Sequence, residues 1–471
     1  MKVAFIHYHL KPGGVTTVLR HQLDVLAGDG EGLVVSGSPP ADPIGAPVVT
    51  VPGLAYDSQG GGRDPASATA DAVQAAIGTH WPGGCDLLHV HNPLLAKNRR
   101  LLAVLADLQR RGVRLLLQVH DFAEDGRPQH YTPQPYPADC HYAVVNSRDY
   151  RFLNRAGLNH RGLHLLPNMI AAPPSPKGPP DADAPPQVLY PVRAIRRKNI
   201  GEAALLSCFF PPDCRLAVTL PPNSPQDRVV HADWQAFTRR TGLNAAFDVG
   251  LRQDFGSLLA GARFILTTSI MEGFGFSFVE PWAAAKLVWG RRLPDICRDF
   301  ERRGISLAHL YTRLAVPLAW IDPADFEARW RACVQNACRC FGVAPAPAEM
   351  RAAFGYITQD GQVDFGLLAE GAQRQVIARV RDERRAAQQL AAANPFLKDP
   401  GRVPGARDLV RRNRDAVLAG YNRAVYRDRL LAAYRRVIGT RVHHQVDKSV
   451  LLAAFLDLKT FGLLKWGPYG D

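Results

Sequence analysis

The sequence predicts an α/β protein of two tandem, doubly wound, Rossmann-like domains followed by a mainly helical extension. Three observations support this. Short apolar strands alternate with amphipathic helices from residue 1 to about 170. A proline-rich run, Ala171-Ala-Pro-Pro-Ser-Pro-Lys-Gly-Pro-Pro to Pro186, then interrupts the pattern, and a second alternating stretch begins at Val188. Alternation of this kind implies parallel sheets covered by helices on both faces. The expected boundaries are 1–170, a linker at 171–187, 188–340, and an extension at 341–471.

In the first domain, Lys2–His7, Leu87–His91, Arg114–His120 and Tyr142–Asn146 read as strands. Gly13–Leu26 reads as a loop and helix, and Leu101–Arg110 as a helix. In the second, Val188–Val192, Leu216–Leu220, Ala245–Val249 and Phe264–Thr268 read as strands. Two such domains in tandem form a cleft, with ligands at the carboxyl ends of the strands. The extension ends in an apolar-rich segment, Val446–Trp466. It could pack, form oligomers or touch a membrane surface, and its interrupted apolar runs favour packing.

Composition narrows the function. The 471 residues are 46% hydrophobic and carry a net charge of +14, mostly from arginine. Such a charge suits anionic partners, but arginine is spread along the whole chain and no nucleic-acid-binding motif appears, so nucleic acid is not an expected partner. No run approaches the ~20 apolar residues of a membrane span. Met1-Lys-Val-Ala-Phe-Ile-His looks like a buried strand that breaks too soon for a signal peptide. The eight cysteines are scattered, and Cys333, Cys338 and Cys340 fit no zinc spacing. Reduced thiols in the cytoplasm are expected.

The most informative stretch is residues 267–286, TTSIMEGFGFSFVEPWAAAK. It sets Glu272 and Glu280 around a Gly-Phe-Gly turn, between an apolar strand and an expected Ala-rich helix. Strand, glycine turn and helix N-terminus bring backbone N–H groups to one point. Carboxylates there accept hydrogen bonds from hydroxyls and repel phosphate, which suits a sugar or ribose ring. Ser277-Phe-Val-Glu280 also has the form of a capping box, although Pro281 argues against that register. The local sequence leaves both readings open.

Other groups carry chemistry too. Lys11-Pro-Gly13-Gly14 opens a helix and is a weak phosphate-cradle signal. Arg193, Arg196, Arg197 and Lys198 form a cationic cluster after a strand, where a diphosphate could be neutralised or where the loop could simply be solvated. His89, His91 and Asn92 close one strand. His120, Asp121, Glu124, Asp125 and Arg127 follow another. A zinc site at His89, His91, His120 and Asp121 lacks a helical His-x-x-x-His brace, so no metal is expected. Asp181 and Asp183 lie in the proline-rich linker and read as solvated.

Together these elements resemble the retaining GT-B glycosyltransferases of the family-4 type, over residues 1 to about 290. The resemblance rests on Gly13-Gly14, Val119-His120-Asp121, Leu166-Pro167-Asn168, Arg193 and Lys198, Phe247-Asp-Val-Gly250, Ala262 through Ser269, and the E-x7-E element Glu272–Glu280. It implies that Arg193 and Lys198 grip a donor diphosphate and that Glu280 takes the ribose hydroxyls. Glu272, with N–H groups around Phe274, Gly275 and Phe276, would hold the transferred sugar. Gly14 would let the first loop close, His120 would sit beside the reacting carbon, and the base would lie near Gly250 and Leu251. No cofactor beyond the nucleotide sugar is implied, and no bound metal.

Candidates for acceptor contact in the first domain are Asn92, Lys97, Asp121, Glu124, Arg127, His130 and Tyr131. Their mixture suits a small polar or anionic acceptor, or a soluble saccharide. The chain departs from the family at Val192, where a glycine is usual, and from Pro281 to Asp295. Two alternatives remain: a disaccharide phosphorylase on the same scaffold, and a catalytically silent sugar-nucleotide binder.

Overall fold

The computed structural model describes residues 1–178 and 185–468. Asp181 and Asp183 lie outside the described residues. The chain divides into two compact units, 1–169 with 421–456 and 170–420 with 457–471.

The first unit holds seven strands: β1 (Lys2–His7), β2 (Glu31–Ser36), β3 (Val48–Thr50), β4 (Leu87–His91), β5 (Leu115–Val119), β6 (His141–Val144) and β7 (Leu163–Leu165). They form one sheet in the order β3-β2-β1-β4-β5-β6-β7, and every pair is parallel. Runs such as Leu115-Leu-Leu-Gln-Val are nearly continuous in apolar residues because helices cover both faces. The helix Leu101–Arg110 buries Leu101, Leu102, Val104, Leu105 and Leu108, the stripe expected of a 3.6-residue period. The helix Ser147–Arg155 starts where the Asn146 side chain accepts the Asp149 N–H at 2.8 Å.

Part of the expected extension belongs to this unit. The helix Arg423–Gly439 buries Tyr426, Leu430, Leu431, Tyr434 and Val437 in a core shared with Val3, Phe5, Leu19 and Leu23. The helix Lys448–Phe455 places Leu451 and Phe455 in the core on the other face, with Phe455 5.0 Å from Phe122. Residues 341–420 and 457–468 pack in the second unit. The extension expected at 341–471 is therefore divided between the units, with 421–456 in the first and 341–420 and 457–468 in the second.

The second unit has five parallel strands: β8 (Gln187–Arg193), β9 (Arg215–Leu220), β10 (Ala245–Ala246), β11 (Ala262–Thr267) and β12 (Val288–Gly290), in the order β10-β9-β8-β11-β12. A hairpin, β13 (Ala315–Pro317) with β14 (Gln362–Asp364), lies apart from the sheet. Two local expectations change. The strand expected over Ala245–Val249 stops at Ala246, because Asp248 takes φ 60° and opens a turn at Val249–Leu251. The Ala-rich helix after Glu280 is one turn, Glu280–Ala283, ended by Ala285 at φ 53°. Trp282 is fully buried and donates to the Phe278 carbonyl at 2.9 Å, which draws the chain inward toward β12.

Strand order reverses between β1 and β4 in one unit and between β8 and β11 in the other. At such switch points the connections diverge and leave a crevice at the carboxyl ends. Among the described residues no helix is long and apolar enough to cross a membrane.

A charged network braces the second unit. Arg291, just after β12, binds Glu202 through Nε and Nη2 at 2.8 and 2.7 Å, and Asp364 through Nη1 and Nη2 at 2.8 and 2.7 Å. The Tyr311 hydroxyl adds a 2.7 Å bond to Glu202. Arg291 and Glu202 are buried, so removing one partner strands the others in low dielectric. Arg291→Met is expected to cost about 3–5 kcal/mol, measured by urea unfolding. Arg329→Met, which breaks the exposed pair with Asp325, is expected to change stability by about 0.5 kcal/mol or less.

Candidate functional site

In the second unit, the switch point gathers the cationic loop after β8 and the Glu-x7-Glu segment after β11. β8 ends at Arg193, and Arg196–Lys198 make a 3-10 turn. Asn199, at φ 50°, then caps the helix Ile200–Ser207, its side chain accepting the Glu202 N–H. The left-handed turn leaves the Lys198 carbonyl facing the sheet. It accepts from the Tyr190 hydroxyl at 2.6 Å and from Thr268 Oγ1 at 3.0 Å. The backbone under Lys198 is thus bolted to β8 and to the end of β11.

From that anchor Lys198 Nζ donates to Glu272 Oε1. Both side chains are largely buried. Burial disfavours the charge on Lys198 and lowers its pKa, with Glu272 opposing the shift. Burial likewise disfavours the Glu272 carboxylate, but Lys198, Arg197 and Ser269 outweigh it and hold its pKa below the usual value. Ser269 lies 3.2 Å from the Tyr190 hydroxyl. Arg197 comes from the cationic cluster read in the sequence, whereas Tyr190, Thr268 and Ser269 support the site without having been given a role there. Their only signal was proximity in sequence to a strand end.

Gly275 takes φ 88°, a conformation glycine adopts freely, and a Cβ there would meet Phe278 at 2.9 Å. This turn sends Phe274 inward, where its ring lies 4.9 Å from Phe276 and 5.5 Å from Phe300. Ser277 caps nothing and Val279 occupies the N-cap position, so the capping-box reading of Glu280 fails. Glu280 opens the single helical turn and is solvent-accessible. Desolvation by its surroundings still pushes its pKa up to about 7, against the pull of Lys198.

The remaining donor candidates are more dispersed. Arg193 donates to the Pro221 carbonyl at 3.2 Å and to Asn223 Oδ1 at 3.0 Å, along the loop after β9. Arg196 is structural: buried, it forms a fork with Glu370 at 2.6 and 2.8 Å. A Cβ on Gly250 would meet the Thr219 carbonyl at 3.0 Å, and Leu251 beside it is 66% exposed.

The first unit places a column of imidazoles at its own switch point. His89 and His91 on β4 stack with centroids 4.6 Å apart, and His91 and His120 lie side by side, nearly coplanar, with centroids 5.3 Å apart. His91 Nδ1 and His120 Nε2 are hydrogen-bonded at 3.0 Å. Burial lowers the pKa of His89 to about 3, that of His120 to about 4 and that of His91 well below its usual value, so all three are neutral. His89 spends both ring nitrogens, on the Tyr434 hydroxyl and on Gln118, at 2.9 Å each. Among the described residues no three His, Cys, Asp or Glu side chains converge on a metal-sized site.

The Asn92 side chain receives the His120 and Asp121 N–H groups at 3.2 and 3.0 Å. Asp121 pairs with Arg127 at 2.8 Å. The Lys97 ammonium lies 4.9 Å from the Tyr56 ring centroid, and the Lys448 ammonium 4.0 Å from that of Tyr131. Glu124 departs from expectation as an acceptor contact. It is fully buried and receives the Tyr136 hydroxyl at 2.9 Å, because the turn after β5 points it into an aromatic layer. His130 is half-buried, and burial lowers its pKa to about 4. Gly13 and Gly14 are exposed, and a Cβ on Gly14 would meet nothing within 4 Å.

No family model matches the chain. Mannosylglucosyl-3-phosphoglycerate synthase of Petrotoga mobilis is 26% identical over 258 residues, 49% of this chain and 50% of that relative. The chain thus spans about half the length of the curated relative it matches. Sucrose-phosphate synthase of Thermosynechococcus elongatus superposes with a TM-score of 0.54 at 16% identity, over 92% of this chain and 98% of that one. A glycosyltransferase from Rickettsia africae gives 0.54 at 11% identity, over 93% and 99%. Anabaena HepE, solved with UDP-glucose, gives 0.50 at 16%, over 83% and 99%. The chain has the GT-B fold. In a GT-B fold the crevices at the strand ends are where ligands bind, and the Lys198–Glu272 pair and the histidine column each stand at one.

Glu280 yields a thermodynamic signature. With its folded pKa near 7 and a usual value of 4.5, the native state holds a proton that the unfolded chain has released across that interval. Its contribution to stability is therefore present at low pH and lost as pH rises from about 4.5 through about 7. Unfolding of wild type and Glu280→Gln at a series of pH values tests this: the wild type should lose stability relative to the variant across that window.

Proposed function

We propose that this protein is a retaining glycosyltransferase that moves a hexose from a nucleoside-diphosphate sugar to a hydroxyl of a small polar or anionic acceptor. The observation that carries this reading is the Lys198–Glu272 pair at the β8/β11 switch point, with Glu280 eight residues further on and near enough to feel the Lys198 charge. A cation beside two carboxylates, backed by a glycine turn, matches a ligand that has both phosphate and hydroxyl groups.

On this reading Lys198 divides its three donors between Glu272 and the diphosphate. Breaking the bond to the sugar carbon places negative charge on the leaving phosphate. Lys198 and Arg193 stabilise that charge without reorganising, because their surroundings already hold them. Glu272 accepts from hydroxyls of the transferred sugar, aided by N–H groups at Phe274–Phe276, and Glu280 accepts from the ribose hydroxyls. The base rests against main chain at Gly250 and Leu251. The acceptor attacks from the face the leaving group departs and passes its proton to the phosphate, so the reaction needs no second catalytic carboxylate and no bound metal.

The first unit supplies the acceptor contacts and His120. Asn92, Asp121 and Arg127 form a bonded cluster after β4 and β5, and Lys97 and Tyr131 add a cation and a hydroxyl. The exposed Gly13-Gly14 loop leaves space for close approach of a ligand. Support for a small anionic saccharide comes from the relative matched over half its length, a synthase named for mannosylglucosyl-3-phosphoglycerate.

The test is release of nucleoside diphosphate from a panel of nucleotide sugars, with and without pooled phosphorylated and carboxylated acceptors. One donor should respond to one acceptor class. Lys198→Ala and Glu280→Ala should each cut kcat/KM by about 10²–10³ while circular dichroism stays native. Near-wild-type rates in either variant would remove the site assignment. Turnover that depends on inorganic phosphate and a disaccharide would replace the transferase by a phosphorylase.

A further inference from the structure

His91 and His120 share a single hydrogen bond, Nδ1 to Nε2 at 3.0 Å, between rings tilted by only 13°. A neutral imidazole carries one N–H, so one ring donates and the other accepts. Which one donates decides what His120 presents from its other nitrogen.

The far side of His91 settles the direction. Its Nε2 is buried and has no hydrogen-bond partner among the described residues. The His91 ring itself is 1% exposed, held between His89 at 4.6 Å and the edge of His7 at 6.3 Å. If His120 donated, His91 would carry its proton on Nε2 and bury an N–H with no acceptor. If His91 donates, Nε2 is only a bare lone pair. Buried unpaired N–H groups are the rarer and costlier arrangement.

We propose that His91 is a positioning residue whose Nδ1–H donates to His120 Nε2. His120 is thereby fixed as the Nδ1–H tautomer and offers a hydrogen-bond donor, not a proton-accepting base, at the carboxyl end of β5. The His120 backbone N–H donates to Asn92 Oδ1 at 3.2 Å, which ties the residue after His91 to the backbone of His120. On the transferase reading, the donor faces an oxygen of the sugar or of the acceptor. That role rests on the proposed function, whereas the tautomer does not.

The experiment is nitrogen-15 NMR of protein labelled at histidine, with His120 identified by the signals lost in His120→Gln. Protonated Nδ1 on both His91 and His120 is the expected result, and a protonated Nε2 on His120 overturns the proposal. Two variants carry it into function. His91→Leu removes the donor, and its kcat should fall by ~10- to 100-fold with little change in donor KM. His91→Asn keeps an amide N–H in the same place and should recover most of that loss. Equal losses in both, or wild-type kcat in His91→Leu, would make His91 merely structural. If no donor is turned over by the wild type, the transferase reading fails while the tautomer measurement still decides the geometry.

Discussion

Lys198 and Glu272 meet where the second sheet reverses its strand order, and the surrounding residues are arranged to keep both charges out of water. Tyr190 and Thr268 hold the backbone of Lys198, and the left-handed Asn199 turns the chain away immediately afterwards. Ser269 supports Glu272, and Gly275 bends the segment so that Phe274 seals the floor against Phe300. Desolvating an ion pair costs about as much as its attraction returns, so a well-packed apolar pair would serve stability as well. On the proposed function, the pair serves the phosphate and hydroxyl groups that it would bind.

The same economy governs the first unit with neutral groups. Five histidines at the ends of β1, β4 and β5, His7, His9, His89, His91 and His120, all have depressed pKa values because burial disfavours their charged forms. They act as hydrogen-bonding groups of fixed orientation. Tyr434, from a helix more than three hundred residues further along the chain, holds the inner end of the column through His89. The C-terminal helix Arg423–Gly439 thus buttresses the histidine column as well as covering a core.

Eight of the twelve strands in the two sheets were legible because apolar runs bounded by polar residues or glycine leave few alternatives, and the placement of Glu272, Lys198 and His120 at strand ends followed from that, whereas β2, β3, β7 and β12 were not read. Less was legible wherever a tertiary contact overrode the local pattern. Ala283 to Ala285 read as helix, but Trp282 and a left-handed Ala285 end it after one turn. Glu124 read as an open carboxylate, yet Tyr136 and the turn after β5 bury it. The Arg291–Glu202–Asp364 network joins residues far apart in sequence, and no spacing rule could have paired them. The helical character of the C-terminal region was visible, but interrupted apolar runs do not say which unit a helix will pack in.

Direct titration calorimetry with nucleoside diphosphates tests the central assignment without requiring the acceptor to be known. Wild type should bind one of them, and Lys198→Met should bind it at least about tenfold more weakly, the loss expected for one charge-assisted hydrogen bond. Equal affinity in the two proteins, or no binding by the wild type, would contradict the placement of the donor diphosphate at Lys198.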